Sequence, residues 1–204
     1  MMLIRFKQAL VRLARYCLKP LLRRKRSLMR GTETQRTALI KLVESLPSSK
    51  PMVMIEVGSY RGESAQIFLG TNRFSRIYCI DPWKMYNDAN DGAAFTDMAE
   101  VERDFDQRVG VDSRVVKVKG TIDTFLERYP DVSIDFAYVD GCHTYEAVKY
   151  DLQRIMSNCL PRIAVGGHDY EVSWEGVRRA IEETLGQPDA VFADTSWVKY
   201  QHVL

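Results

Sequence analysis

The 204-residue sequence predicts an α/β protein built on a doubly wound, seven-stranded, mostly parallel sheet. Two observations carry that expectation. Short apolar runs alternate five times with stretches of helical periodicity, and the runs are apolar almost throughout, as in parallel strands covered on both faces. Two last runs, Ala190–Ala193 and Trp197–Gln201, are parted only by Asp194-Thr195-Ser196, which predicts a closing hairpin and brings the strands to seven.

In chain order, Thr32–Leu46 has helical spacing at Leu39, Leu42, Val43 and Leu46 and ends at Pro47-Ser48-Ser49. Met52–Val57 is the first strand and Glu63–Leu69 the helix after it. Arg76–Ile80 follows, then a polar loop and a helix over Phe95–Val109. Val115–Val118 leads into a helix over Ile122–Tyr129, and Ile134–Val139 into Tyr145–Asn158. Ile163–Val165 and a helix over Trp174–Leu185 complete the alternation. With 46% hydrophobic and 27% charged residues, this is the composition of a single globular domain.

Charge is distributed unevenly. Residues 1–30 hold ten basic side chains and no acid, so residues 31–204 hold 19 basic against 27 acidic side chains, a net of −8. Such a body lacks the basic face that duplex DNA requires, and no nucleic-acid partner is expected. The first thirty residues are expected to form a basic amphipathic extension, separate from a 31–204 domain. Arg5, Arg12, Arg15, Lys19, Arg23, Arg26 and Arg30 lie on one side of a helix and Leu3, Phe6, Leu10, Leu13 and Leu21 on the other, with Pro20 as a break. Three readings stand for it: a helix on an anionic membrane surface, a helix packed on the body or on a second subunit in a homo-oligomer, or an organellar transit peptide. No apolar run reaches the length of a membrane span. Cys17, Cys79, Cys142 and Cys159 form no C-x-x-C pair and read as reduced thiols of a cytoplasmic chain.

In a doubly wound sheet, ligands bind beyond the carboxyl ends of the strands. After the first strand stands Glu56-Val57-Gly58-Ser59-Tyr60-Arg61-Gly62-Glu63-Ser64, whose glycines permit a tight turn and close backbone approach. It is neither a G-x-G-x-x-G nor a P-loop, which counts against a nicotinamide oxidoreductase. Asp81 ends the second strand in Ile80-Asp81-Pro82-Trp83, where a ribose diol is bound in nucleoside sites. The fourth strand ends in Asp140-Gly141-Cys142-His143-Thr144-Tyr145 and the fifth in Gly166-Gly167-His168-Asp169-Tyr170. Asp140, His143, His168 and Asp169 are expected to converge there, a set suited to a divalent metal or to general-base chemistry. Lys84–Glu100, long and polar at the same edge, is expected as a substrate lid. Its Asp88-Ala89-Asn90-Asp91-Gly92 fails as a calcium loop, because the glycine comes one position early.

Together, E-V-G-S-Y-R-G-E-S, I-D-P-W, D-F-A-Y-V-D-G-C-H-T-Y-E-A-V-K-Y-D-L and G-G-H-D-Y resemble the class I S-adenosylmethionine-dependent methyltransferases. Within them the chain is similar to small O-methyltransferase-like proteins whose fourth strand ends in D-G-x-H-x-Y-x-x-x-x-x-D, over residues 52 to about 185. The resemblance implies a Rossmann-like methyltransferase fold with an antiparallel last strand. It implies S-adenosyl-L-methionine as cofactor, with Glu56, Gly58, Ser59 and Gly62 at its methionine end and Asp81 on its ribose. Pro82 and Trp83 would flank the adenine, with Thr121, Ile122 and Asp123 near its amine. Asp140, His143 and His168 would act at the methyl-transfer centre. Asp140 and Asp169 match the carboxylates that hold Mg2+ in metal-dependent relatives. The acceptor implied is a hydroxyl of a small metabolite such as a sugar. Two departures are Pro161-Arg162-Ile163 where relatives have Pro-Gly-Gly, and Gly120-Thr121-Ile122 where they have G-D-S. The rival from another class is a non-catalytic nucleotide-binding or scaffold protein on the same fold.

Overall fold

The computed structural model describes residues 33–85 and 96–201, and strands and helices alternate through them. A helix over residues 33–45 (α1) is followed by β1 (Met52–Val57), α2 (Glu63–Gly70), β2 (Phe74–Asp81) and α3 (Met98–Arg108). Then come β3 (Val115–Lys119), α4 (Ile122–Arg128), β4 (Phe136–Val139) and α5 (Tyr145–Asn158). The chain closes with β5 (Ala164–Gly167), α6 (Glu175–Leu185), β6 (Ala190–Val191) and β7 (Trp197–Tyr200). The basic extension at 1–30, Cys17 and positions 86–95 of the expected lid lie outside the described residues. Among the described residues no helix is long and apolar enough to cross a membrane.

The seven strands form one sheet in the order β3-β2-β1-β4-β5-β7-β6. The pairs from β3 through β5 are parallel, and β7 alone runs antiparallel to its two neighbours. From β1 the chain first builds outward to β2 and β3, then returns to add β4 on the other side. The turns after β1 and β4 therefore diverge and leave a crevice between them.

Alternation along the central strands sorts the core into two layers. Met52 and Met54 of β1 pack with Leu39 and Leu42 of α1, Phe68 of α2 and Phe105 of α3. Ile55 and Val57 pack on the opposite face with Phe125 of α4, Leu152 of α5 and Ile181 of α6.

Several boundaries depart from expectation for local reasons. The third helix begins at Met98, because the Asp97 carboxylate caps it by accepting from the Ala99 and Glu100 N–H groups. β4 starts at Phe136 after Asp135, whose carboxylate accepts from Val53 N–H (2.8 Å) and Arg162 Nε (2.8 Å). Arg162, one of the departures from the relatives' pattern, thus anchors the edge of β4. β5 runs two residues past the expected Val165, through Gly166-Gly167. A Cβ on Gly167 would overlap the Val139 carbonyl oxygen and come within 2.9 Å of the buried Trp197 ring. The pair leaves room for that indole inside a strand. The hairpin is present, but its first strand is only Ala190–Val191, and the Asp189 carboxylate accepts from Tyr200 N–H (2.8 Å).

Candidate active site

At the crevice, a cavity of about 790 Å³ is walled by the turns after β1, β2, β3 and β4. Gly58 begins the first turn at φ +89°, beside the backbone of Asp140 and Gly141. Of the residues the sequence singles out, Gly58, Ser59, Asp81, Pro82, Thr121, Ile122, Asp123, Asp140 and His143 line the cavity.

Five do so indirectly or not at all. Glu56 is fully buried beneath the turn, and its carboxylate accepts from Ser59 Oγ (2.7 Å) and Ser64 Oγ (2.6 Å). It ties the turn to the first residues of α2 instead of facing a ligand. Gly62 is the N-cap of α2 and faces Val109 and Phe105. Trp83, expected beside an adenine, is buried in the α1–α3 layer with its ring 4.9 Å from that of Phe105. Its backbone turns at φ +42°, its Nε1–H donates to the Tyr60 carbonyl (2.9 Å), and Lys117 Nζ sits 4.8 Å from the ring centre. An indole of that size gains more from burial than from a wet cavity mouth. Asp169 and His168 stand behind Asp140 and His143, away from the lining.

Asp81 organises the second wall. Its Oδ2 accepts from Tyr60 N–H (2.9 Å) and its Oδ1 from Trp83 N–H (2.7 Å). Burial raises its pKa, against the pull of those two donors. On the third turn, Thr121 caps α4 through a reciprocal bond with Thr124. Asp123 accepts from Tyr150 Oη (2.7 Å) and Arg154 Nε (2.6 Å), and the Tyr150 hydroxyl, more than Arg154, holds its pKa down.

At the other end lies a compact polar cluster. His143 Nε2 is 2.9 Å from Asp169 Oδ2 and 3.6 Å from Asp140 Oδ1, while His168 Nδ1 is 3.1 Å from the other oxygen of Asp169. Burial opposes charge on both imidazoles, but the carboxylates outweigh it. Asp140 and Asp169 raise His143 to about 10, and Asp169, Asp140 and Asp194 raise His168 to about 9. Burial likewise works against the charge on Asp169, yet the two histidines hold its pKa well below the usual carboxylate range. These carboxylates hold both imidazoles towards their charged form. Asp169 sits at φ +60°, an uncommon conformation of the kind concentrated at functional sites.

The sequence leaves three contributors without a role. Trp174 lies with its ring 4.7 Å from that of His143, and Asp194 Oδ2 is 3.8 Å from His168 Nε2. Neither carries a signal, since both come from loops far along the chain. Asp151 lines the cavity from α5. It had a signal: it falls beside Val148, Leu152 and Ile155 on the buried stripe of that helix.

Glu56 yields a test of its buried charge. Burial pushes its carboxyl from 4.5 up to about 7, with a smaller push from Asp140 and against the two serine hydroxyls. The folded protein therefore holds this proton to higher pH than the unfolded chain does. The cost of ionising it is absent below pH 4.5 and grows as pH rises towards about 7, reaching up to about 3 kcal/mol. Glu56→Gln should accordingly gain stability relative to wild type in urea melts between about pH 5 and about pH 8. A difference that stays constant across that range would show Glu56 to be ordinarily ionised.

A doubly wound sheet whose cavity opens at the switch point, with a carboxylate at the end of β2, defines an α/β protein for a nucleoside-type ligand. A family model described as a methyltransferase domain matches residues 55–170, more than half of the chain, and the chain belongs to that family. No curated protein sequence matches it. Among solved structures it is similar to the ribosomal protein L11 methylase of Lactobacillus delbrueckii subsp. bulgaricus, at TM-score 0.53 and 16% identity over 82% of this chain and 80% of that one. It is also similar to Aeropyrum pernix fibrillarin in complex with natively bound S-adenosyl-L-methionine, at TM-score 0.50 and 14% identity over 76% and 68% of the two chains. The spermidine synthase of Thermotoga maritima aligns at TM-score 0.49 and 12% identity over 76% of this chain, which spans only 55% of that one. At such identities the likeness is one of fold: this is the Rossmann-like methyltransferase fold.

Proposed function

We propose that the chain moves the methyl group of S-adenosyl-L-methionine to a hydroxyl of a small acceptor. The observation that carries this reading is the cavity itself. Asp81 lines it after β2, where a ribose would be held, and Asp140 and His143 line it after β4, where a sulfonium would meet its acceptor. Membership of the methyltransferase-domain family supports it.

In the displacement, the acceptor oxygen forms a bond to the methyl carbon as the carbon–sulfur bond breaks, and S-adenosylhomocysteine leaves as a neutral thioether. The protein's work is alignment to within about 3–3.5 Å and disposal of the hydroxyl proton. Asp140, on the cavity wall, receives that proton, and His143 holds Asp140 and Asp169 in place. Because the positive charge of the sulfonium is lost during transfer, a cavity with little water favours the transition state.

A divalent cation fits the same corner. Asp140, His143 and Asp169 each offer a ligand atom, and these lie within 4.8 Å of one another. Two carboxylates and an imidazole form a mixed oxygen–nitrogen donor set that suits such a cation once His143 gives up its proton. A metal held there would supply Lewis acidity to an acceptor hydroxyl. The domain boundary at residue 31 and an appended role for residues 1–30 in location or assembly belong to the same proposal.

The test is calorimetry on the full-length protein. Wild type should bind S-adenosylhomocysteine and not NAD, and Mn2+ should bind wild type but not Asp169→Ala. No affinity for S-adenosylhomocysteine would favour a scaffold on this fold. Equal Mn2+ binding by the variant would remove the metal from the proposal.

A further inference from the structure

The reversed direction of β7 brings the turn that precedes it to the edge of the sheet where β5 ends. A parallel strand in that place would bring its preceding turn to the opposite edge. Gly167 pairs with Trp197, so His168-Asp169-Tyr170 leave β5 alongside Ser196-Thr195-Asp194. Three contacts tie the two segments. Tyr170 N–H donates to the Thr195 carbonyl (3.1 Å), Trp197 Nε1–H donates to the His168 carbonyl (3.3 Å), and Asp194 Oδ2 stands 3.8 Å from His168 Nε2. Each segment also holds one residue in the left-handed region, Thr195 at φ +73° and Asp169 at φ +60°. A β-branched residue keeps that conformation only where its surroundings fix it.

Asp194 is itself firmly held. Its side chain is only 5% exposed, and it accepts from Ser196 N–H at Oδ1 (3.0 Å) and from Ser196 Oγ at Oδ2 (2.8 Å). Ser196 Oγ lies in turn 3.2 Å from the hydroxyl of Tyr138, a fully buried residue of β4. The anchored carboxylate meets one nitrogen of His168, and the other nitrogen, Nδ1, is 3.1 Å from Asp169 Oδ1. An imidazole set between two fixed carboxylates has one ring orientation that serves both. We propose that Asp194 is a positioning residue: it holds the His168 ring by Nε2 and keeps Nδ1 on Asp169. The second oxygen of Asp169 is thereby left to face His143, 2.9 Å away, and a divalent cation in the same corner. The cation rests on the function proposed above; the hold on His168 does not.

The experiment uses full-length Asp194→Asn, whose amide keeps an oxygen for Ser196 N–H but turns an NH2 towards His168. Imidazole nitrogen NMR, with the His168 signals assigned from a His168→Gln protein, reads the ring directly. Calorimetry reads Mn2+ and S-adenosylhomocysteine. The His168 Nε2 signal should shift, and Mn2+ should bind about tenfold or more weakly than to wild type. Affinity for S-adenosylhomocysteine should stay as in wild type, because Asp194 lies outside the cavity lining. An unchanged His168 signal or unchanged Mn2+ affinity overturns the assignment. So does a parallel loss of S-adenosylhomocysteine binding, which would make the turn a general support of the crevice. If wild type itself binds no Mn2+, the metal reading fails and the His168 signal alone decides. If Asp194→Asn does not fold, Ser196→Ala, which removes only the hydroxyl at Oδ2, takes its place under the same outcomes.

Discussion

Gly58→Ala is expected to lower stability by on the order of 2–6 kcal/mol and to abolish measurable binding of S-adenosylhomocysteine. Two costs add. The residue sits at φ +89°, outside the range an alanine occupies without strain of about 1–3 kcal/mol. The new methyl would also overlap the Asp140 carbonyl oxygen and lie within 2.6 Å of the Gly141 Cα. Both obstacles are backbone, so no side chain can swing aside, and forced overpacking costs about another 1–3 kcal/mol. Relief can come only by prising the turn after β1 from the turn after β4, and those turns are two walls of the cavity. Gly70→Ala is the control: it adds a methyl at the end of α2 with nothing within 4 Å, and should leave stability unchanged or slightly raised. Urea melts of both variants, with calorimetry on whichever folds, give the comparison. A Gly58→Ala protein as stable as Gly70→Ala and still binding the nucleoside would mean that the crevice is not held by this contact.

The same contact shows what could be read from the chain alone. That a glycine belongs after β1 follows from a strand running into a turn and a helix; that its partner is the backbone 82 residues later does not, because nothing local encodes which strand lies beside β1. The bounds of α5 were legible because Thr144 caps its first turn and the apolar stripe of Val148, Leu152 and Ile155 sets its face. So was the meeting of Asp140, His143, His168 and Asp169, which needs only two adjacent parallel strands ending at one level. Trp83 was misplaced for a different reason. Following Asp81-Pro82 it could turn either way, and the hydrophobic layer around Phe105, assembled from α1, α2 and α3, takes it. β5 extends past Val165 through Gly166-Gly167 because Trp197, contributed by the last hairpin, demands the space. In each miss the deciding atom comes from an element remote in sequence.

Asp81→Ala should weaken S-adenosylhomocysteine by at least about a hundredfold, more than loss of a single ligand contact accounts for. In nucleoside sites of this fold the carboxylate serves the ribose. Here each of its oxygens already accepts a backbone N–H, from Tyr60 and from Trp83. An ionised carboxylate has about four lone-pair sites, so two remain for the ribose hydroxyls. The two donors belong to residues with positive φ, +44° at Tyr60 and +42° at Trp83, conformations that persist only where their surroundings hold them. One carboxylate therefore pins the turn after β1 to the turn after β2, and under the proposed function it would hold the ribose through the same atoms. Removing it leaves two N–H groups without their acceptor and two strained residues without restraint, a stability loss on the order of 2–4 kcal/mol. Asp81→Asn separates the two tasks. The amide oxygen can keep one of the backbone donors, while its NH2 faces the other as a second donor. Most of the stability should survive in that variant and most of the affinity should not. A variant that loses stability while binding the nucleoside as wild type does would confine Asp81 to holding the turns, and the ribose would need another partner.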